Sequence, residues 1–138
     1  TATTEIYTLS LHDALPIWEL LLVRRGKEPA KGTLDLPGGF VDMFESGKEA
    51  ARREVREETG LHIQNCRYLF SLPNLYMYSG FEVHTLDMFY ECLVDDFNNV
   101  HAEDDAAEIV ILHPEDVNPE DFGLDSIRKA VPIYLGKY

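Results

Sequence analysis

Residues 39–61 read GFVDMFESGKEAARREVREETGL, and this stretch decides how the chain is expected to fold. Ser46 followed by Glu49 is the pair of residues that forms a capping box, which predicts a helix beginning at about Gly47. Gly60 suits the position just past a helix C-terminus, because glycine adopts a positive φ without strain. The sequence therefore predicts a loop, a helix ending before Gly60, and a second loop.

Three glutamates of this helix share one face. Glu54, Glu57 and Glu58 lie at positions i, i+3 and i+4, so their carboxylates project together. Two carboxylates about 4 Å apart repel by roughly 4 kcal/mol at an effective dielectric constant of about 20. A hard cation with oxygen ligands, Mg²⁺ or Mn²⁺, offsets this repulsion best. The alternative, for glutamates in isolation, is a solvated acidic helix with i,i+4 ion pairs.

The residues around the glutamates complete a longer pattern, G-x5-E-x7-R-E-U-x-E-E-x-G-U, in which U is apolar. If each residue type has a usage of about 7%, seven such identities match by chance about once in 10⁸ starting positions. The pattern resembles the Nudix box, the signature of the Nudix hydrolase superfamily. The fixed positions are Gly39, Glu45, Arg53, Glu54, Glu57, Glu58 and Gly60.

This resemblance implies a fold and a set of site residues. The fold is a Nudix-type α/β/α sandwich with a mixed β-sheet, a catalytic loop-helix-loop and a C-terminal helix. The implied catalytic residues are Glu57, Glu54, Glu58, Arg53 and Glu45, and the three helix glutamates are also implied metal ligands. Arg53 could reach Glu57 one turn away and Glu45 in the loop. Gly38, Gly39 and Phe40 would lie beside the substrate, because glycine lets the backbone approach a ligand closely.

The rest of the chain contains further strand and helix signals. Apolar runs predict strands over residues 18–25, 63–72, 81–94 and 109–112, of which the second should break at Pro73 and the third should be central. An apolar stripe predicts a C-terminal helix, capped by Asp125 or Ser126 and kinked or shortened by Pro132. The members of the stripe are Ile127, Ala130, Val131 and Tyr134.

The first 17 residues, TATTEIYTLSLHDALPI, show neither a buried-strand run nor a helical stripe. Residues 6–17 resemble a translated sequencing-adapter sequence. We therefore expect residues 1–17 to be a non-native or irregular leader and residues 18–138 to form the domain. The native start, with or without an additional domain, would then be missing. The alternative is an irregular but genuine first strand.

Residues 71–79, SLPNLYMYS, resemble a degenerate form of S-Q-P-W-P-F-P-x-S, a motif of NADH pyrophosphatase-type Nudix enzymes. Three motif positions match, and Tyr76 replaces the aromatic Phe. Four positions depart from the motif, which leaves NADH specificity open. The resemblance implies that Pro73, Asn74 and Tyr76 bind substrate, with Tyr76 and Tyr78 stacking on adenine. The alternative is an ordinary aromatic strand edge.

An acidic cluster, Glu103, Asp104, Asp105 and Glu108, precedes the 109–112 run. In the NADH pyrophosphatase-like pattern E-x-x-E-x-x-W, the two acids fall on Asp105 and Glu108, and Ile111 replaces the tryptophan. The resemblance implies a further metal ligand or base here, with Asp105 the first choice and Glu108 the second. The alternative is a solvated acidic turn.

Composition limits the partners. The chain has 138 residues, two cysteines and a formal net charge of −13, which argues against nucleic acid or an anionic membrane as a partner. Phosphates would be met by metal and by local basic residues, among them Arg24, Arg25 and Lys31. Cys66 and Cys92 are far apart in sequence and indicate no disulfide framework, so a cytoplasmic location is expected. Homodimers are common among the enzymes that the chain resembles.

These observations predict a hydrolase that uses Mg²⁺ or Mn²⁺ to cleave a nucleoside diphosphate linked to another group. The products would be a nucleoside monophosphate and a phosphorylated partner, and NADH and ADP-ribose, a dinucleotide and a nucleotide-sugar, are the favoured substrates. One alternative is a house-cleaning pyrophosphatase that acts on nucleoside triphosphates. The other is a non-catalytic Nudix-fold sensor that binds such nucleotides.

Overall fold

The computed structural model describes residues 2–14, 17–94, 96–103 and 106–136. These residues form seven strands and two α-helices, with two single 3₁₀ turns before the last helix. In chain order the elements are β1 (Ala2–Ala14), β2 (Ile17–Arg25), β3 (Leu34–Asp35), β4 (Gly38–Phe40), α1 (Gly47–Thr59), β5 (Asn65–Tyr78), β6 (Phe81–Leu93), β7 (Ala106–Leu112) and α2 (Asp125–Leu135).

The strands form one mixed sheet in the order β3-β2-β1-β6-β5. β4 pairs with β1, and β7 pairs with β2. The pairing of β1 with β6 is parallel, whereas the other strand pairs are antiparallel. The prediction that β6 lies inside the sheet is therefore confirmed, because β6 has β1 on one side and β5 on the other.

The two helices cover opposite faces of this sheet. Alternate residues of the inner strands point to opposite faces, so Ile6 and Leu21 pack under α1, whereas Leu9 and Leu22 pack under α2. The α1 side is completed by Ala50, Ala51 and Val55, and the α2 side by Ile127, Ala130 and Val131. The predicted α/β/α sandwich with a mixed sheet and a C-terminal helix is confirmed.

The N-terminal residues differ from the expectation of an irregular leader. β1 lies in the middle of the sheet, and its Ile6 and Leu9 are fully buried. One edge of β1 pairs with β6 over Ala2–Leu11, and the other pairs with β4 and β2. The expectation of irregular structure over residues 2–14 is therefore wrong, because β1 is paired along both edges and buries Ile6 under α1 and Tyr7 and Leu9 under α2. The idea that residues 1–17 are non-native stays a prediction.

β5 also runs further than predicted. It was expected to end at Pro73, yet it continues to Tyr78, and Pro73 is paired with Leu86 of β6. β5 is the last strand of the sheet, so the missing N–H of proline costs no ladder bond on its outer side. The break predicted at Pro73 is therefore wrong.

The start of α2 is held by the sheet rather than by a side-chain cap. Leu124 occupies the N-cap position and makes no side-chain capping bond, so the predicted cap by Asp125 or Ser126 is wrong. The Ser126 hydroxyl instead donates a hydrogen bond to the buried carboxylate of Asp87 on β6. The helix continues to Leu135, three residues beyond Pro132, so the proline does not end it.

The two cysteines meet across the sheet. Cys66 of β5 and Cys92 of β6 are directly paired, and their sulfur atoms lie 3.6 Å apart in the core beneath α1. Both are free thiols and buried. Sequence separation gave no sign of this proximity. Among the described residues, neither helix is long and apolar enough to cross a membrane.

Candidate active site

Both ends of α1 have the caps that the sequence predicts. The Ser46 hydroxyl accepts a hydrogen bond from the Glu49 backbone N–H at 3.2 Å, and the Glu49 carboxylate accepts one from the Ser46 N–H at 3.0 Å. At the other end, Gly60 has a φ of 76° and its N–H donates to the Arg56 carbonyl. These bonds satisfy backbone groups that a helix otherwise leaves unpaired at its ends.

β4 brings its glycines against the helix. A side chain at Gly39 would place its first carbon 2.7 Å from a carboxylate oxygen of Glu54, closer than such atoms approach. The Gly38 N–H points at the Glu58 carboxylate, with an N–O distance of 3.4 Å. The glycines are therefore needed because the backbone of β4 lies directly against the glutamate face.

Arg53 joins the loop before α1 to the glutamate face. Its Nε and Nη2 donate to the two carboxylate oxygens of Glu45 at 2.8 and 2.9 Å. Its Nη1 donates to Glu54 at 2.7 Å and to Glu57 at 3.2 Å. Nη2 also donates to the Phe40 carbonyl at 3.0 Å. The contacts predicted from Arg53 to Glu45 and Glu57 are thus present, and one guanidinium holds three carboxylates in place.

Burial changes the acidity of Glu54, whose carboxylate lies against Gly39 of β4. Desolvation raises the pKa of Glu54 to about 7, although the Arg53 guanidinium opposes this shift. The negative charge of Glu57 raises the pKa of Glu54 further. A cation bound beside Glu54 would stabilise the ionised carboxylate and displace its proton. Metal binding and loss of this proton are therefore coupled.

The glutamates line a cleft on the surface, here called the acidic cleft. Its walls contain four carboxylates, the backbone of β4 and one lysine, and its lining residues are Lys27, Gly38, Gly39, Phe40, Asp42, Glu54, Glu57 and Glu58. Glu54 and Glu57 expose 13% and 43% of their side chains. Glu57 is therefore the more accessible of these two glutamates to a ligand from solvent.

A second pocket, the inner cavity, opens beside the acidic cleft and has a volume of about 230 Å³. The two share Lys27, Gly38, Gly39, Phe40 and Glu58. The remaining walls come mainly from β1, β2 and β3, and include Glu5, Tyr7, Val23, Arg25, Asp35 and Leu124. The volume is below the roughly 300–1,000 Å³ of pockets that enclose a whole drug-sized ligand. The cavity therefore fits one end of an extended substrate.

Two polar pairs, one partly buried and one buried, line the inner cavity. Arg25 donates to Asp35 at 2.6 Å, and the Tyr7 hydroxyl donates to Glu5. Burial raises the pKa of Asp35 to about 7 despite the opposing charge of Arg25. Val23 and Leu124 add apolar surface, so the cavity combines hydrogen-bond acceptors with apolar contacts.

The donor set of the acidic cleft suits the divalent ions expected from the sequence. Glu54, Glu57 and Glu58 supply hard carboxylate oxygens on one wall, the ligands that Mg²⁺ and Mn²⁺ prefer. Among the described residues, no three acidic, histidine or cysteine side chains already converge on a point that could hold a metal ion. Mg²⁺ does not need such a cage, since it commonly keeps several waters and uses one or two carboxylates plus substrate phosphates.

Other predicted ligands lie away from the acidic cleft. Arg24 and Glu108 bond to each other across β2 and β7, with an Nε–Oε1 distance of 2.5 Å, and they line neither pocket. Lys31 is exposed and also lines neither pocket. Asp105 is outside the described residues. The structure therefore does not bring Arg24 or Glu108 to the glutamates, and the role of Asp105 stays a prediction.

The described side chains of the segment resembling the NADH pyrophosphatase motif line neither pocket. Asn74 is buried beneath α2, where its side-chain oxygen accepts a hydrogen bond from the Ser126 N–H at 3.4 Å. Pro73 is on the exposed face of β5, and neither residue lines the inner cavity or the acidic cleft. The Tyr76 and Tyr78 side chains are outside the described part of the structure. Substrate binding by Pro73, Asn74 and Tyr76 stays a prediction.

Sequence reasoning missed several residues that the fold brings to the site. Lys27 lies in the loop after β2 and lines both pockets. Glu5, Tyr7 and Asp35 line the inner cavity but not the acidic cleft. Glu5 and Tyr7 are two apart, so they face the same side of β1, which is the one signal that could have grouped them. No spacing rule connects Lys27 or Asp35 with the helix.

Comparison with known proteins agrees with this geometry. The family model described as "NUDIX domain" matches residues 15–132. The ADP-ribose pyrophosphatase of Methanocaldococcus jannaschii is 44% identical over 62 residues, which cover 40% of this chain and 37% of that protein. The NAD-capped RNA hydrolase NudC of Haemophilus influenzae is 42% identical over 57 residues, 40% of this chain and 22% of that protein. The matches thus span well under half of these relatives.

Solved structures show the same fold. A MutT/nudix family protein from Enterococcus faecalis superposes with a TM-score of 0.71 and 25% identity, covering 82% of this chain and 44% of that one. The NUDIX domain of Shewanella oneidensis NrtR, solved with ADP ribose, superposes with a TM-score of 0.78 and 18% identity, covering 99% and 86%.

The chain belongs to the NUDIX domain family, because the family model matches most of its length. The predicted relationship to the Nudix hydrolases is therefore confirmed.

Proposed function

We propose that this protein is a hydrolase dependent on Mg²⁺ or Mn²⁺ that cleaves the phosphoanhydride bond of a nucleoside diphosphate linked to another group. ADP-ribose and NADH are the favoured substrates. The observation that carries the proposal is the adjacency of the two pockets: the glutamate-lined cleft shares five lining residues with a cavity of suitable size for one end of such a substrate.

The carboxylates of the site would have two roles, metal binding and activation of water. When bound, the divalent ions would neutralise the diphosphate and lower the pKa of a coordinated water. Glu54, Glu57 and Glu58 are the side chains that would hold the ions. Glu57, or Asp105 of the acidic cluster before β7, would orient or deprotonate the attacking water.

The other residues position these groups. Arg53 fixes the orientations of Glu54 and Glu57 and anchors them to Glu45 in the preceding loop. Gly38 and Gly39 would let the diphosphate approach the backbone of β4, and Phe40 lines both pockets. The polar and apolar walls of the inner cavity would receive the group at one end of the substrate.

The names of two relatives support the choice of substrate. One is an ADP-ribose pyrophosphatase and the other an NAD-capped RNA hydrolase, and both names describe a nucleoside diphosphate linked to a second group. The second name makes NAD-capped RNA a substrate to test, although the net charge of −13 favours small nucleotides. A nucleoside-triphosphate pyrophosphatase and a non-catalytic nucleotide sensor remain the alternatives.

A substrate panel tests the proposal. The purified protein would be incubated with Mg²⁺ or Mn²⁺ and ADP-ribose, NADH, diadenosine polyphosphates, dNTPs or NAD-capped RNA, and the products separated by chromatography. We expect metal-dependent release of a nucleoside monophosphate from ADP-ribose or NADH. Preferential hydrolysis of dNTPs would favour the triphosphate alternative, and tight nucleotide binding without turnover would favour the sensor.

Two matched variants connect any turnover to the acidic cleft. Glu57→Gln and Glu58→Gln keep the size of each side chain but remove its charge, so we expect folded proteins that have lost most metal-dependent turnover. Glu115→Gln is the control, because Glu115 is exposed and lines neither pocket. Unchanged rates in both cleft variants would reject the assignment of these residues.

A further inference from the structure

We propose that His101 is a positioning residue for Glu58, because it fixes a stretch of chain that holds the last turn of α1. This stretch is residues 96–103, which lie between β6 and β7 and are here called the clamp. The inference rests on the proposed function, since it names a residue that would orient a ligand of the same metal ions.

The clamp binds the C-terminal end of α1 through two backbone hydrogen bonds. The Glu103 N–H donates to the Glu58 carbonyl at 2.9 Å, and the His101 N–H donates to the Thr59 carbonyl at 3.1 Å. The last carbonyls of a helix have no partner within the helix, so they need donors from elsewhere. The end of the helix that carries the glutamates is therefore held by a distant part of the chain.

Two apolar residues attach the clamp to the core. Phe97 and Val100 are partly buried and pack against the cluster beneath α1 that contains Ala51 and Val55. The Val100 N–H also donates to the Phe97 carbonyl at 3.2 Å, which closes a turn between the two residues. The clamp is therefore anchored up to the residue that precedes His101.

The imidazole of His101 joins the two halves of the clamp. Its Nε2 donates to the Glu103 carboxylate at 2.6 Å, and its Nδ1 lies 3.1 Å from the Asn99 carbonyl oxygen. The ring also lies against Gly60, where a β-carbon would be 2.5 Å from the ring Cε1. His101 thus covers the glycine that ends α1 and holds the residue that caps Glu58.

The effect of His101 should be local. His101 and Glu103 expose 57% and 47% of their side chains, so their ion pair contributes little to the stability of the whole protein. Without the imidazole, Glu103 loses the side-chain contact that keeps its N–H on the Glu58 carbonyl. A residue that orients a metal ligand changes metal affinity or activity by about 10- to 100-fold when it is removed.

We therefore expect His101→Ala to weaken Mn²⁺ binding about tenfold in calorimetry. The kcat for ADP-ribose should fall by a similar factor, with KM changed less than about threefold, because the nucleotide itself does not contact His101. His101→Gln keeps a side-chain N–H for the Glu103 carboxylate and should recover most of the Mn²⁺ affinity. His84→Ala is the matched control, because His84 is exposed on β6 and lines neither pocket.

Hydrogen exchange tests the clamp without metal or turnover. The Glu103 amide should exchange slowly in wild type and at least about tenfold faster in His101→Ala, while the amides inside β6 stay protected. Unchanged exchange of the Glu103 amide, or faster exchange with unchanged Mn²⁺ affinity, would overturn the role of His101. So would a wild-type protein that binds no Mn²⁺. Weaker Mn²⁺ binding to His101→Ala in a protein that hydrolyses no substrate of the panel would support His101 and reject the proposed hydrolase.

Discussion

Arg53 is the residue on which the arrangement of the acidic side chains depends. Its planar guanidinium makes a two-point contact with Glu45 and also reaches Glu54 and Glu57. Lysine carries the same charge but has no planar fork that matches a carboxylate at two points. A lysine ammonium has only three donors on one atom, so it cannot keep the two-point contact with Glu45 and also reach Glu54 and Glu57.

We expect Arg53→Lys to lower kcat/KM about 10- to 100-fold, the usual effect of removing a residue that orients metal ligands. Steady-state kinetics at several Mg²⁺ concentrations would measure the loss, and circular dichroism would check the fold. Arg56→Lys, three residues along α1 and exposed, is the control. Wild-type activity in Arg53→Lys would show that charge alone, without the fork, is sufficient.

Glu54 should couple metal binding to pH. Its pKa is raised to about 7 by burial, so the carboxyl is largely protonated below that pH and must lose its proton before it can bind a cation. The affinity for Mg²⁺ should therefore fall up to tenfold for each pH unit below about 7 and level off above it.

Calorimetry at about pH 6 in two buffers of different ionisation enthalpy would count the protons released on binding. We expect most of one proton to be released by wild type and almost none by Glu54→Gln. Proton release that is the same in the two proteins would assign the titration to another group.

At the scale of elements, α2 is attached to the sheet by a buried polar cluster. Asp87 of β6 is fully buried and accepts hydrogen bonds from the Ser126 hydroxyl of α2 and from the Thr85 hydroxyl, the latter at 2.6 Å. Burial raises the pKa of Asp87, and the two hydroxyls oppose that shift by stabilising the ionised form.

Ser126→Ala removes one of these donors and should lower the free energy of unfolding by about 1–3 kcal/mol at neutral pH. The loss should be smaller near pH 4, where the raised pKa keeps more of the folded carboxyl protonated and less dependent on donors. Urea denaturation at the two pH values would measure the difference. An equal loss at both would mean that packing, rather than the charge of Asp87, explains the effect.

At the scale of the whole molecule, the sheet depends on β1. Leu9 is fully buried on the α2 side, whereas Leu75 on the exposed end of β5 keeps 47% of its surface accessible. Leu9→Ala should therefore destabilise the protein by about 2–5 kcal/mol, and Leu75→Ala should change stability little. Urea denaturation of both variants measures the contrast. A neutral Leu9→Ala would mean that residues 1–17 take no part in the fold.

The predictable parts of this molecule are those encoded by neighbours in sequence. Ser46, Glu49 and Gly60 set the ends of α1 through bonds within a few residues, so the helix and its glutamate face could be placed correctly. β5 passes Pro73 because β5 is at the edge of the sheet, a fact of topology that no local pattern contains. The position of Lys27 likewise depends on how the loop between β2 and β3 meets β4.

The cysteine pair has a practical consequence. Cys66 and Cys92 expose 4% and none of their surfaces, so an alkylating reagent should react with neither while the sheet is closed. Unfolding that separates β5 from β6 exposes both sulfur atoms to the reagent in the same molecule. Mass spectrometry after alkylation would therefore measure unfolding: the fraction of molecules with two adducts is the fraction that has lost the contact between β5 and β6.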